Sequence, residues 1–365
     1  GIFFGAGALL LVSGLSLAWY LLKRLGWVVS EKQLSISGLG VRSCARRRKR
    51  SLATSGLLAC GSFLVVAVAA NKLDANKDSQ KRSSGTGGFA LIGESTLPIT
   101  KDLNTESGLN FFGLDTNELR NVSFVLFRVR DGDDASCLNL NRAQTPRLLG
   151  VKPELLAKRS AFSFLNLLGN KSPWNRLTYK NDDAVPAIGD ANSIQWALHK
   201  KVGDVIEYTD ERGNKFNVRI VAAVANSILQ GSLIIDEAEF IKRFPSTSGY
   251  RMFLIDAPSE KVGEVSATLS RALRDYGLEL TPTEKRLAAF NAVQNTYLNT
   301  FQILGGLGLL PGSVGMGIVV LRNVLERRSE LAVLLAIGFR KRSLRWLILS
   351  EHAALLCAGI ALGIF

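Results

Sequence analysis

The sequence predicts a membrane α-helical protein of four spans with a separate α+β domain outside the cytoplasm, and three observations carry that expectation. Apolar residues gather in four segments, 2–22, 52–70, about 297–321 and 346–365, and each approaches the roughly twenty residues that cross a bilayer. Basic residues concentrate in two short stretches beside those segments. Between the second and third segments lies a long run of near-neutral charge with short strand-like stretches. An apolar fraction of 47% with a mean hydropathy of +0.16 fits a chain only partly in the membrane.

The four spans are expected at 1–22, 51–70, 296–321 and 346–365. Their order follows from where the net charge of +14 sits. Residues 23–50 hold nine Lys or Arg against one Glu, and residues 322–345 hold seven against two. Residues 71–295 hold 29 basic and 27 acidic residues. Cations confined to short loops beside apolar spans mark the cytoplasmic side. The first span therefore enters the cytoplasm at Lys23, the second leaves after Arg50, the third returns at Arg322 and the fourth leaves after Arg345. Segment 71–295 becomes the extracytoplasmic domain, and the protein is expected in the inner membrane as a multi-pass chain. Gly1 at one end and Phe365 inside an apolar run at the other point to a piece of a longer protein. A cleaved signal peptide is disfavoured because the cations follow the apolar run 2–22 instead of preceding it.

The cluster Arg46, Arg47, Arg48, Lys49 and Arg50 has the composition of a nucleic-acid or nuclear-localisation patch. It abuts the apolar segment 52–70, so a topology-setting cluster that meets anionic lipid headgroups is the simpler account, and no nucleic-acid partner is expected. Just upstream, Leu34, Ile36, Leu39 and Val41 fit an amphipathic interfacial helix.

The extracytoplasmic segment opens with a polar, glycine-rich stretch, 72–88, that reads as a linker or flexible arm. Strands are expected at 122–129, 205–208, 216–224, 232–235 and 251–255, where β-branched and aromatic residues recur. Gly203-Asp204 and Arg212-Gly213-Asn214 are turn signals, and 208–221 reads as a β-hairpin. Helices are expected at 153–168, 236–243 and 259–277. Catalysis has little to draw on: the two histidines, His199 and His352, fall in different segments. Asp131, Asp133 and Asp134 lack the glycine and closing glutamate of a calcium loop and read as a solvated acidic turn, as do Asp182 and Asp183. Cys137 is the single cysteine of the extracytoplasmic segment, so an internal disulfide there is excluded. No Walker A pattern occurs and Gly85, Gly87 and Gly88 read as linker glycines, so no nucleotide or other cofactor is expected.

Residues 322–363 carry the most specific pattern. Glu326 and Glu330 stand four apart and share a helix face, with Val324, Leu331 and Leu335 on the other. Gly338 ends or bends that helix, and Arg340, Lys341, Arg342 and Arg345 follow before the last span. This run resembles the core of ABC transporter permeases of the FtsX/MacB/LolC type, in which a cytoplasmic helix with an E-R-R-x-E-like run and an A-x-G turn couples to the ATPase. The matching residues are Glu326, Arg327, Arg328, Glu330, Ala336 and Gly338, with Arg340 in the cationic cluster and Glu351 at the family's acidic position in the next span. A second, architectural resemblance links 185–224 to the MacB-like extracytoplasmic domain through Pro186, Lys201, Gly203, Asp204 and Gly231.

These resemblances imply a non-enzymatic permease subunit driven by an ABC ATPase in trans, with lipid contacts and a second permease copy or half. Segment 1–22 would then end a preceding repeat, 23–50 would be the cytoplasmic basic and interfacial segment, and 322–345 the coupling helix and basic turn. ATP-driven motion would reach the external domain by mechanotransmission along the third span, whose six glycines and Pro311 serve either as a hinge or as packing positions. The work would be export or extraction of a substrate at the outer face. Membrane-anchored sensing, or regulation of envelope enzymes without transport, is the alternative.

Overall fold

The computed structural model describes residues 2–25, 43–46, 48–72, 78–136, 143–167, 173–179 and 184–364. The expected interfacial helix at 34–41, together with Arg47, Cys137, Asp182 and Asp183, lies outside the described residues. Two units are distinguished: Gly1–Lys72 with Asn295–Phe365, and Leu73–Gln294.

The chain begins with two apolar helices, α1 (Ile2–Leu25) and α2 (Arg48–Ala70). At the end of α1 the Lys23 ammonium lies over Trp19 and the Arg24 guanidinium over Tyr20, a combination suited to a membrane–water boundary.

The second unit follows as β1 (Leu91–Ile99), α3 (Glu106–Phe111), β2 (Ser123–Arg130), β3 (Arg147–Val151), α4 (Pro153–Arg159), β4 (Phe164–Leu167), β5 (Ala184–Asp190), β6 (Val205–Thr209), β7 (Lys215–Val224), β8 (Ser232–Asp236), α5 (Glu237–Arg243), β9 (Tyr250–Asp256), α6 (Val262–Ala272) and β10 (Glu279–Pro282). Its strands form one mixed sheet in the order β10-β1-β9-β2-β3-β8-β5-β7-β4, with β6 also on β7. The parallel pairs are β3 with β8 and β5 with β7. Three apolar clusters line the sheet, one centred on Phe127 and Trp174, one on Phe216, Phe240 and Phe244, and one on Phe253, Leu269 and Leu273. Asp133, expected in a solvated acidic turn, accepts hydrogen bonds from the backbone of Gln144 and Thr145. Those bonds hold its carboxyl below the usual range.

Two expectations are corrected here. Residues 78–88 are a packed turn, not a free arm: the buried Thr86 hydroxyl donates to the Ser79 carbonyl. Arg159 donates to the Gly88 carbonyl at 2.8 Å, pairs with Asp256 and lies over the Phe89 ring. Gly87 and Gly88, at φ +64 and +70, supply the left-handed backbone this turn needs. The helix expected over 153–168 stops at Arg159. Ser160 and Phe162 take φ of 52 and 69, Phe162 buries against Trp174, and the chain leaves as β4. Core packing of Phe162 overrides the local helix-forming composition.

Entry into and exit from this unit are bonded to each other. β1 and β10 pair antiparallel, with Leu91 opposite Pro282. The Thr283 backbone N–H donates to the Ala90 carbonyl at 3.1 Å. The Thr283 hydroxyl donates to Phe89, and the Ser79 hydroxyl to Glu284.

The chain closes with α7 (Thr283–Glu326), α8 (Arg328–Ala336) and α9 (Lys341–Ile364). Among the described residues three helices are long and apolar enough to cross a membrane, at Gly5–Arg24, Arg48–Ala70 and Lys341–Ile364. The remaining expected span, 296–321, falls within α7, where the side chains of 308–312, Met316 and Val319 lie outside the described residues.

Candidate functional site

The site is built where α7 breaks into α8. The pattern at 322–336 predicts one helix, but the structure interrupts it at Arg327, whose φ of −101 and ψ of 10 leave the helical region. The Arg327 carbonyl then accepts the first bond of α8, from Leu331. The break lets one guanidinium face three partners. Its Nη1 meets Glu351 Oε2 at 2.8 Å, its Nε meets Glu330 Oε2 at 3.3 Å, and its Nη2 donates to the Ser43 hydroxyl at 3.5 Å.

The Arg327–Glu351 pair is the buried one, with side chains 17% and 8% exposed. Val324, Leu331, Ile348 and His352 line a water-sized cleft of about 10 Å³ around it. Removing solvent strengthens such a pair while making either charge costly alone. Cys44 packs beside it, its thiol on the Glu351 carbonyl at 3.5 Å. Burial, with the Glu351 charge second, pushes that thiol up to about 11, so it stays protonated.

Two more exposed links flank the pair. Glu326 receives Arg50 at 3.1 Å and Arg322 at 2.8 Å. Those two guanidinium hydrogen bonds hold its carboxyl down at about 2. Glu330 receives Arg46 at 3.6 Å. The arrangement joins what the sequence presents as two separate cationic segments: two arginines of the cluster before the second span meet the paired glutamates 276 residues or more along the chain.

The other motif residues take different places. Arg48 donates to the Ala45 carbonyl at 3.2 Å, and Lys49 is exposed. Arg328, Ala336, Gly338 and Arg340 are exposed, and Gly338 at φ 103 ends α8 in a conformation that glycine favours. Leu335, expected on an inward face, is 41% exposed, and no residue of α8 is buried. Val333, Ile337 and Phe339 are exposed beside Arg340, Lys341 and Arg342. Sequence reasoning missed Ser43 and Cys44, whose small side chains carry no spacing signal.

The helices behind the site pack by contact of small residues, though not where the glycine count of the third span points. A Cβ on Gly359 would meet the Ser55 carbonyl at 2.8 Å, and one on Gly363 would meet the Ala59 carbonyl at 2.5 Å. The buried Ser55 hydroxyl donates to the Leu355 carbonyl at 3.1 Å. On α7, by contrast, Gly306, Gly315 and Gly317 have nothing within 4 Å of the corresponding position.

Residues 303–365 match the family described as FtsX-like permease, C-terminal. A solved structure of the periplasmic region of MacB from Actinobacillus actinomycetemcomitans aligns at 10% identity with a TM-score of 0.33, over 55% of this chain and 92% of that one. No curated protein matches the chain.

Proposed function

We propose that this chain, FtsX-like over its C-terminal membrane region, is the permease subunit of an ABC transporter. It would turn ATP hydrolysis by a separate ATPase into movement of its extracytoplasmic domain. The observation that carries this reading is α8, within the FtsX-like match: a short helix with no buried residue and an exposed apolar and cationic end. Ile337 and Phe339 would enter an apolar groove of the ATPase. Arg328 and Arg340 would meet acidic groups on its rim, where opposite charge steers and orients docking. Ala336 and Gly338 leave room for close approach. Glu326, Arg327 and Glu330 hold the root of α8, so a push on its tip reaches the membrane helices.

Four inner-membrane spans, the Leu73–Gln294 unit outside, and export or extraction at the outer face complete the proposal. The apolar surface of α1, where Leu9, Leu10 and Val12 are more than half exposed, would face lipid or a second permease copy. The test is purification of the full chain from its native membrane. An ATPase should accompany it in stoichiometric amount and be lost from the Ile337→Asp, Phe339→Asp variant. A chain that purifies with no ATPase would favour a receptor or a regulator of envelope enzymes.

A further inference from the structure

The membrane helices differ in how they hold one another. α2 and α9 touch along Ser55, Ala59, Gly359 and Gly363, backbone against backbone. α8 buries nothing, and of the described α7 glycines Gly305 alone comes near α2, where a Cβ would lie 3.7 Å from Val65, while 306, 315 and 317 leave open space. The side-chain bonds that tie the α7–α8 corner to the packed pair are polar. Arg327 holds Glu351 on α9 and Ser43 ahead of α2, while Arg50 holds Glu326 and Arg46 holds Glu330.

We infer that this set of ion pairs is the joint that passes motion of α8 into the α2–α9 pair, with Arg46, Arg50 and Glu351 as its positioning residues. The inference rests on the permease reading above. It gives Arg46 and Arg50 a role beyond setting topology. A planar guanidinium suits the task, because its fixed fork holds several acceptors in one geometry and transmits displacement in a defined direction. Val324, Leu331 and Ile348 line the Arg327 cleft, and this apolar lining strengthens the central pair. If α7 alone carried the motion, cutting the joint would leave the response intact.

The experiment uses the full chain with its co-purified ATPase in lipid nanodiscs, reading the amount of ATPase bound and the stimulation of its turnover. Glu351→Gln, Arg50→Gln and Glu326→Gln should each retain the ATPase yet lower stimulation about tenfold, a typical coupling effect. Glu326→Gln removes no topology-setting cation, and an added Arg322→Gln variant separates the Arg322 pair from the Arg50 link. Arg50→Gln combined with Glu326→Gln should lose less than the two single losses multiplied, because both cut the Arg50–Glu326 link while Glu326→Gln also releases Arg322. Arg50→Lys should keep most of the stimulation.

Full stimulation in the single variants, or independent multiplying losses in the double, overturns the joint while leaving the permease reading standing. Should Glu351→Gln fail to fold, the cycle at the more exposed Arg50–Glu326 pair decides the matter. Absence of any ATPase from the unaltered chain overturns the permease reading, and the joint with it.

Discussion

Gly359 and Gly363 of α9 and Gly306, Gly315 and Gly317 of α7 look alike in sequence and do opposite things. Gly359 and Gly363 sit where a side chain would collide with the α2 backbone, and they are what lets the two helices approach. Gly306, Gly315 and Gly317 meet nothing within 4 Å. The contrast shows that glycine content by itself marks neither a hinge nor a packing seam. The partner helix decides. It also leaves the α7–α8 corner held by charge while α2 and α9 are held by shape, two kinds of attachment with different sensitivities.

The largest test of that contrast is on the charged side. Arg327→Ala should destabilise the protein by about 3–5 kcal/mol, since Glu351 would be left buried and unpaired. Thermal unfolding in detergent measures it, and replacing both partners by Met and Leu should recover most of the loss. On the shape side, Gly363→Leu should cost about 1–3 kcal/mol through overpacking against Ala59 and Phe63. Gly315→Ala, in open space on α7, should instead raise the melting temperature slightly, by the roughly 1 kcal/mol difference in helix propensity. A loss at Gly315 as large as that at Gly363 would erase the contrast.

The smallest expected effect is at the exposed Glu326. Its folded-state carboxyl is held down at about 2, below the ordinary 4.5, so its stabilising contribution is complete above pH 4.5 and fades as pH falls through about 2. The gap in melting temperature between the unaltered protein and Glu326→Gln should therefore close across that interval.

Local chemistry was legible wherever it acts locally. The hairpin at 208–221 appears as β6 and β7, turning through Gly213 at φ 82. The helix expected over 259–277, by contrast, is continuous only over Val262–Ala272, with Gly277 at φ 64 closing a short 3-10 turn after it. Strands β1 and β10 were not foreseen. β1 carries Gly93, Glu94, Ser95 and Pro98, and its alternation is hidden because Gly93 lies under Leu280 and Phe253. The site divides the same way. Its motif residues were readable from spacing, but Arg46, Arg50 and Ser43 are partners by fold alone, and no periodicity reports a contact hundreds of residues away. The Arg327 break carries no local signal, and the residue's partner Glu351 lies beyond the reach of helical spacing.

The bonds between Phe89–Ala90 and Thr283, with β1 beside β10, give the Leu73–Gln294 unit a closed neck. Its two ends are held together by bonds made within the unit itself. Such a unit behaves as a cassette. It can be lifted out with a short bridge across the neck, exchanged for another domain whose ends also meet, or permuted to open elsewhere. An exchange at the neck would leave the α2–α9 contacts at Ser55, Ala59, Gly359 and Gly363 as they are.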